Sequence, residues 1–166
     1  MDATTNAVIV RQLHYDDIER LVRMDRDVSN RIRHRYIEGK LRHALSDSDV
    51  KISLGAEVDA CLVGAMLGTL QYGEFGQPEP VAILDTVLVD PRFARQGIAS
   101  ALLGQLCKKL GAFGIRQLRT QVDWNDVELM GYFAHTGFVP VPSLVLELDV
   151  PGFVRREDLA TESPGK

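Results

Sequence analysis

The chain has 166 residues, of which 45% are hydrophobic and 25% charged, with a formal net charge of −4. Those figures suit a single folded domain and argue against a disordered chain. The acidic balance argues against a dedicated nucleic-acid binder, whose domain would be basic. Cys61 and Cys107 make neither a disulfide framework nor a zinc set, and they read as buried thiols of a reducing compartment. No apolar run approaches the ~20 residues of a membrane helix. Met1-Asp2-Ala3 does not read as the opening of a signal peptide, so a cytoplasmic protein without membrane partners is expected.

Ala7 to Leu13 reads as a first strand. Asp16 is then expected to cap a helix, with Glu19 in the capping-box position and Ile18, Leu21 and Val22 as its apolar stripe. Ser29 is expected to start a second helix. There Ile32, Tyr36, Leu41 and Leu45 would share a face, while Arg31, Arg33, Arg35, Lys40 and Arg42 would be solvated. Val50, Ile52 and Leu54 alternate with Lys51 and Ser53, the pattern of a half-exposed strand. Glu57-Val58-Asp59 joins it to a more apolar strand, Ala60 to Gln71. Tyr72 to Pro80, with Gly73, Gly76, Pro78 and Pro80, is a loop.

Val81 to Val89 is the most uniformly apolar strand and should be central. The helix after Gln96 keeps Ala99, Leu102, Leu103, Leu106, Leu110 and Phe113 on one face, and Gly114 ends it at C′. Ile115 to Asp123 alternates again, with Leu118, Thr120 and Val122 on one side. A short helix is expected over Asp126 to Thr136, then one or two terminal strands over Phe138 to Val150. Residues 1–150 read as the domain and 151–166 as a polar tail.

The most informative stretch runs from Leu84 to Leu103. An apolar strand meets a polar turn, and the helix that follows has only small residues in its first turn. A helix N-terminus leaves backbone N–H groups unpaired and favours negative charge, so this is an anion site that Gly97, Ala99 and Ser100 open to close approach. No Gly-Lys-[Ser/Thr] of a P-loop occurs, and Gly97 begins no Gly-x-Gly-x-x-Gly. Val89-Asp90-Pro91 followed by Gly97-Ile98-Ala99 resembles the pyrophosphate motif of the GNAT superfamily of acyl-CoA N-acyltransferases. Its leading Gln/Arg position is here Ala94. The element order over residues 7–150 is similar as well. The resemblance implies an α+β fold: a mixed, mainly antiparallel central sheet with one splayed pair of strands, flanked by about four helices.

What the resemblance implies for function is acetyl transfer from acetyl-CoA, the cosubstrate, to a primary amine of a small molecule or protein. Attack would be direct, in a ternary complex, with no metal and no nucleic acid. Acetyl-CoA would be bound by the turn of Arg92, Arg95, Gln96, Gly97, Ile98, Ala99 and Ser100, and by the strand backbone of Val87, Leu88 and Val89. Asn125 and Phe133 would also touch it. Asp85, the one charged side chain between Val81 and Val89, is the candidate base, since a Lys-like amine (pKa ~10.4) must lose a proton before it attacks. Its plain alternative is a structural carboxylate, and Glu74 is the second candidate.

The segment from Asn125 to Phe138 resembles the second family signature, though the usual acid tyrosine is here Phe133, with Tyr132 about 100° away on the helix. Asn125 could equally be a helix N-cap with Glu128 completing a box. The acid is unassigned: Tyr132, His135 or water could serve, and His135 reads more readily as a surface residue. Trp124, Tyr36, Arg33 and Phe75 are acceptor-lining candidates or ordinary core and surface residues. Two functions stay open: an acetyltransferase, or a CoA-binding sensor or scaffold of the same fold that has lost catalysis. Family habit leaves a homodimer open too.

Overall fold

The computed structural model describes residues 7–46, 52–73, 76 and 78–151. Five strands form one sheet in the order β1 (Ile9–Gln12), β2 (Leu54–Val58), β3 (Cys61–Gln71), β4 (Val81–Val89) and β5 (Leu118–Thr120). The first four pair antiparallel and β5 pairs parallel with β4. The helices are α1 (Ile18–Ser29), α2 (His34–Ser46), α3 (Ile98–Ala112) and α4 (Val127–His135). The chain divides into two compact units, Met1–Met130 and Gly131–Lys166. Among the described residues no helix is long and apolar enough to cross a membrane.

Side-chain alternation along β3 gives each face of the sheet its own cover. Ala65 and Leu67 join Leu13, Leu62 and Leu88 in a core with Leu21 and Met24 of α1 and Ile37, Leu41, Ala44 and Leu45 of α2. On the other face α3 buries Ile98, Leu102, Leu103, Leu106 and Leu110. It comes so close at Gly64 that a Cβ there would stand 2.5 Å from Cγ2 of Ile98. That contact seats the first turn of α3 beside the end of β4, since Gly64 pairs with Val89.

The structure corrects several expectations. The first helical turn is capped from His14, whose N–H donates to Asp17 Oδ2 at 2.8 Å; Asp17, not Glu19, completes the box. Burial pushes the Asp17 carboxyl up, but hydrogen bonds from Arg11 and from the His14 N–H outweigh it and hold the group below its usual range. Ser29 ends α1 instead of starting α2, because Asn30 adopts the left-handed conformation (φ 54°) of a C-cap. α2 therefore begins later and buries Ile37, Leu41, Ala44 and Leu45, leaving Ile32 and Tyr36 exposed.

The β2–β3 turn is Asp59-Ala60, both at positive φ, as a two-residue hairpin of this twist requires. β2 is buried rather than half exposed, with Ile52 and Ser53 buried just before it; Val50 and Lys51 lie outside the described residues. Cys61 and Cys107 are exposed thiols, not buried ones. Phe113 lies past the end of α3 and is exposed, while Gly114 takes the C′ position as expected.

In the second unit Gly137 (φ 98°) takes the left-handed position just past the end of α4 at His135, with the Thr136 hydroxyl donating to the carbonyls of Tyr132 and Phe133. Phe133 is buried and meets Phe138 edge-on, centroids 4.8 Å apart. The terminal strands expected over Phe138 to Val150 are absent: residues 138–151 carry no strand, and Leu144, Leu146 and Leu148 are exposed together with Val145. An alternating pattern needs a ladder partner to become a strand. Residues 152–166, most of the expected tail, lie outside the described residues.

Candidate functional site

β4 is continuous, but only one of its two neighbours follows it along its length. β3 accompanies it throughout, whereas β5 is paired only at Ala82, Ile83 and Leu84. From Asp85 onward the β5 side of β4 has no ladder partner among the described residues. At that same point the β3–β4 register slips: Leu67 faces Thr86 and Gly68 faces Leu84, so Asp85 is the extra residue of a β-bulge. Gly68 is required opposite it, since a Cβ would sit 2.6 Å from the Ile83 carbonyl oxygen. Buried Ser53 fixes the place, its hydroxyl accepting from the Gly68 N–H at 3.2 Å and donating to the Gly68 carbonyl at 3.3 Å.

Beyond the bulge the direction of the backbone groups follows from alternation. The Asp90 N–H donates to the Val63 carbonyl at 2.8 Å. Hydrogen-bonded pairs occur at every second residue, so Leu88 turns its groups to Ala65, and Val87 and Val89 turn theirs to the open side. Of the three strand residues expected at the cofactor, two have backbone groups on the open edge, while Leu88 contributes its buried side chain to the core.

The turn that follows is anchored by a residue that sequence reading used only as the middle of Val-x-Pro. Asp90 is 1% exposed and accepts from the Arg92 N–H, from the Arg92 guanidinium and from Arg20, which also donates to the Leu62 carbonyl. The Arg92 hydrogen bonds, opposed by burial and assisted by Arg20, hold the Asp90 carboxyl well below the usual carboxylate range. An Asp directly before Pro is a turn-initiating signal that could have found it. Arg20, Arg92 and Asp90 together carry one net positive charge.

Arg95 (φ 61°) and Gly97 (φ 81°) then take the left-handed conformation, and a Cβ on Gly97 would meet nothing within 4 Å. Ala101 is the first residue of α3 whose N–H is bonded back, to the Gly97 carbonyl at 2.9 Å. Among the described residues the N–H groups of Ile98, Ala99 and Ser100 therefore have no acceptor at the helix start. Arg95 is exposed with no ion pair among the described residues, and the Gln96 amide donates to the Arg92 carbonyl at 3.2 Å. Free N–H groups, a positive helix end, two arginines and an unobstructed glycine together suit a diphosphate. The residues present fit a CoA pyrophosphate, and the open edge at Val87 and Val89 fits its amide-bearing arm.

Asp85 is not the buried carboxylate its strand suggested. The bulge turns it outward, and its side chain keeps 26% exposure. It accepts from the Thr86 hydroxyl at 2.7 Å and pairs with Lys40 Nζ at 3.2 Å. Lys40 Nζ lies 5.7 Å from the centroid of the Tyr36 ring, which also carries the Arg33 guanidinium at 4.8 Å. Arg33 in turn binds Asp25, which is 2% exposed. Two expected acceptor-lining residues, Arg33 and Tyr36, thus stand in one chain of contacts with Asp85. Lys40, their link, carries no local signal that separates it from the solvated cations around it.

Asn125 is exposed, and Asp126 rather than Asn125 caps α4 by accepting from the Leu129 N–H at 3.0 Å. The amide of Asn125 is consequently left for another use. Trp124 is 85% exposed on the same turn. Phe133, Tyr132 and His135 belong to the second unit. Glu74 and Phe75 lie outside the described residues.

Comparison with known proteins bears on the fold and the family. The family model of the GNAT acetyltransferases matches residues 15–138. Among solved structures, the aminoglycoside N-acetyltransferase AAC(6')-Iy in complex with CoA superposes with a TM-score of 0.74 at 14% identity, over 90% of this chain and 99% of that one. A transcriptional regulator from Bacillus halodurans C-125 gives 0.72 at 18% identity, over 86% and 99%. A ribosomal-protein-alanine N-acetyltransferase from Brucella melitensis biovar Abortus 2308 gives 0.66 at 21% identity, over 86% and 100%. At these identities the structures speak to the fold, and the family model to membership: the chain belongs to the GNAT family of acetyltransferases.

Proposed function

We propose that this acetyltransferase moves an acetyl group from acetyl-CoA to a primary amine by direct attack in a ternary complex. The observation that carries this reading is the juxtaposition of two unfilled sets of backbone groups. One is the open edge of β4 at Val87 and Val89; the other is the free N–H set of Ile98, Ala99 and Ser100. Acetyl-CoA supplies an activated acyl group and a diphosphate handle.

In this reading Ile98, Ala99 and Ser100 hold the diphosphate through their N–H groups, with Arg92 and Arg95 adding positive charge. Val87 and Val89 pair with the amides of the arm, and the outward N–H of one of them faces the acyl oxygen. Asn125, freed from capping, positions the arm. Asp85 receives the acceptor's proton at its carboxylate, directly or through a water. No residue of the first unit is assigned as the acid, and a thiol with a pKa like the ~8.5 of cysteine leaves without one.

The sensor or scaffold reading keeps one specific support: Asp85 is already engaged by Lys40. Thiol release from acetyl-CoA across a panel of amines separates the two. The enzyme reading expects release that depends on at least one amine and falls in Asp85→Asn. CoA binding with release no faster than hydrolysis for every amine would establish the sensor instead.

A further inference from the structure

We propose that Lys40 is a self-acetylation site: its side-chain amine sits where an acceptor amine would sit and takes the acetyl group in cis. The inference rests on the CoA site proposed above and concerns this chain's own lysine. Lys40 Nζ is 3.2 Å from Asp85, the carboxylate assigned to receive the acceptor's proton. Asp85 is the bulge residue at which the edge of β4 opens, two positions before Val87, or about 7 Å along the strand. α2 holds the lysine there. Its neighbours Ile37 and Leu41 are buried, Tyr36 flanks the ammonium, and the Lys40 side chain retains 29% exposure. A four-carbon stem with free rotors covers the remaining distance to a near-attack geometry of about 3–3.5 Å.

The step balances without a further reagent. The Lys40 ammonium gives one proton to Asp85 and a bond forms between Nζ and the acyl carbon. The carbon–sulfur bond breaks, the thiolate takes a proton from water to leave as free CoA thiol, and Asp85 returns its proton to water. The amide nitrogen loses its second proton to water, so one proton is released for each lysine modified. Acetylation removes the Lys40 charge and with it the partner of Asp85, leaving the carboxylate open to an external amine.

The test is peptide mass spectrometry on the full chain incubated with trideuteroacetyl-CoA, with exposed Lys108 as the internal reference. Label on Lys40 should appear about ten-fold or more faster than on Lys108, at a rate independent of protein concentration. Asp85→Asn should slow it about ten-fold while leaving Lys108 unchanged. Acetic anhydride, which needs no CoA site, should label the part-buried Lys40 no faster than the exposed Lys108. Lys40 labelling no faster than Lys108 with the thioester, or equally fast in Asp85→Asn, overturns the proposal. Calorimetry with CoA separates its failure from that of its premise: an unlabelled Lys40 on a protein that binds CoA sinks self-acetylation alone, and loss of CoA binding sinks both.

Discussion

Gly97→Glu is the most informative perturbation of the cofactor turn. A Cβ at this position meets nothing within 4 Å, so the substitution is sterically free. Its backbone is not: φ is 81°, and a side chain in the left-handed region costs about 1–2 kcal/mol. A carboxylate at a helix N-terminus recovers about 0.3–1 kcal/mol of that. The fold should therefore survive with a loss on the order of 1 kcal/mol. The same carboxylate would compete for the N–H groups of Ile98, Ala99 and Ser100 and repel a diphosphate, weakening CoA by ten-fold or more, which is ~1.4 kcal/mol. Gly97→Ala is the control, since it carries the strain without the charge and should weaken CoA by less than about three-fold. Titration calorimetry on variants checked for folding reads both. A folded Gly97→Glu protein that binds CoA like the parent would refute placement of the diphosphate at this turn.

Four further outcomes follow from the same geometry. Asp85→Asn should lower turnover by roughly 10²-fold with CoA affinity little changed; a turnover and pH–rate profile like the parent's would remove Asp85 from the mechanism. Asp90→Ala takes the shared acceptor from Arg20 and Arg92 and should cost about 3 kcal/mol near neutral pH. Because the folded Asp90 carboxyl is held below its unfolded value near 4, its contribution is complete above that pH and fades as pH falls, so the gap in urea midpoint between parent and variant should narrow at about pH 3 and a constant gap would refute it. Gly68→Ala should destabilise by about 1–3 kcal/mol through the Ile83 carbonyl, whereas Gly104→Ala, in open space on α3, should stabilise by up to about 1 kcal/mol; equal effects in thermal unfolding would contradict the bulge argument. Tyr132→Phe should leave turnover within about three-fold, and a hundred-fold loss in a folded variant would make Tyr132 the acid.

The parts legible in the sequence are those set by local chemistry. Val81–Val89 and the helix closed by Gly114 were readable because an apolar run broken only at Asp85 and Thr86, and one glycine in the left-handed conformation, suffice to define them. The free N–H set after Gly97 was readable for the same reason, being a property of one strand, one turn and one helix start. The α1–α2 boundary was not, because Asn30 rather than a proline or glycine takes the left-handed cap. The bulge at Asp85 depends on the register of β3, and the Lys40–Asp85 pair on how α2 packs over the sheet; neither leaves a periodic mark. Leu144, Leu146 and Leu148 show the opposite failure, a clear alternation with no ladder, since pairing is decided by a partner the pattern does not contain.

The most direct test of the central claim is a crystal structure of the protein with acetyl-CoA. The account predicts the diphosphate within hydrogen-bond distance, about 2.7–3.2 Å, of the N–H groups of Ile98, Ala99 and Ser100. It also predicts the arm paired to Val87 and Val89 along the open edge of β4, and the acetyl group beside Asp85. A diphosphate bound elsewhere, or an arm that leaves the Val87 and Val89 groups unpaired, would contradict it.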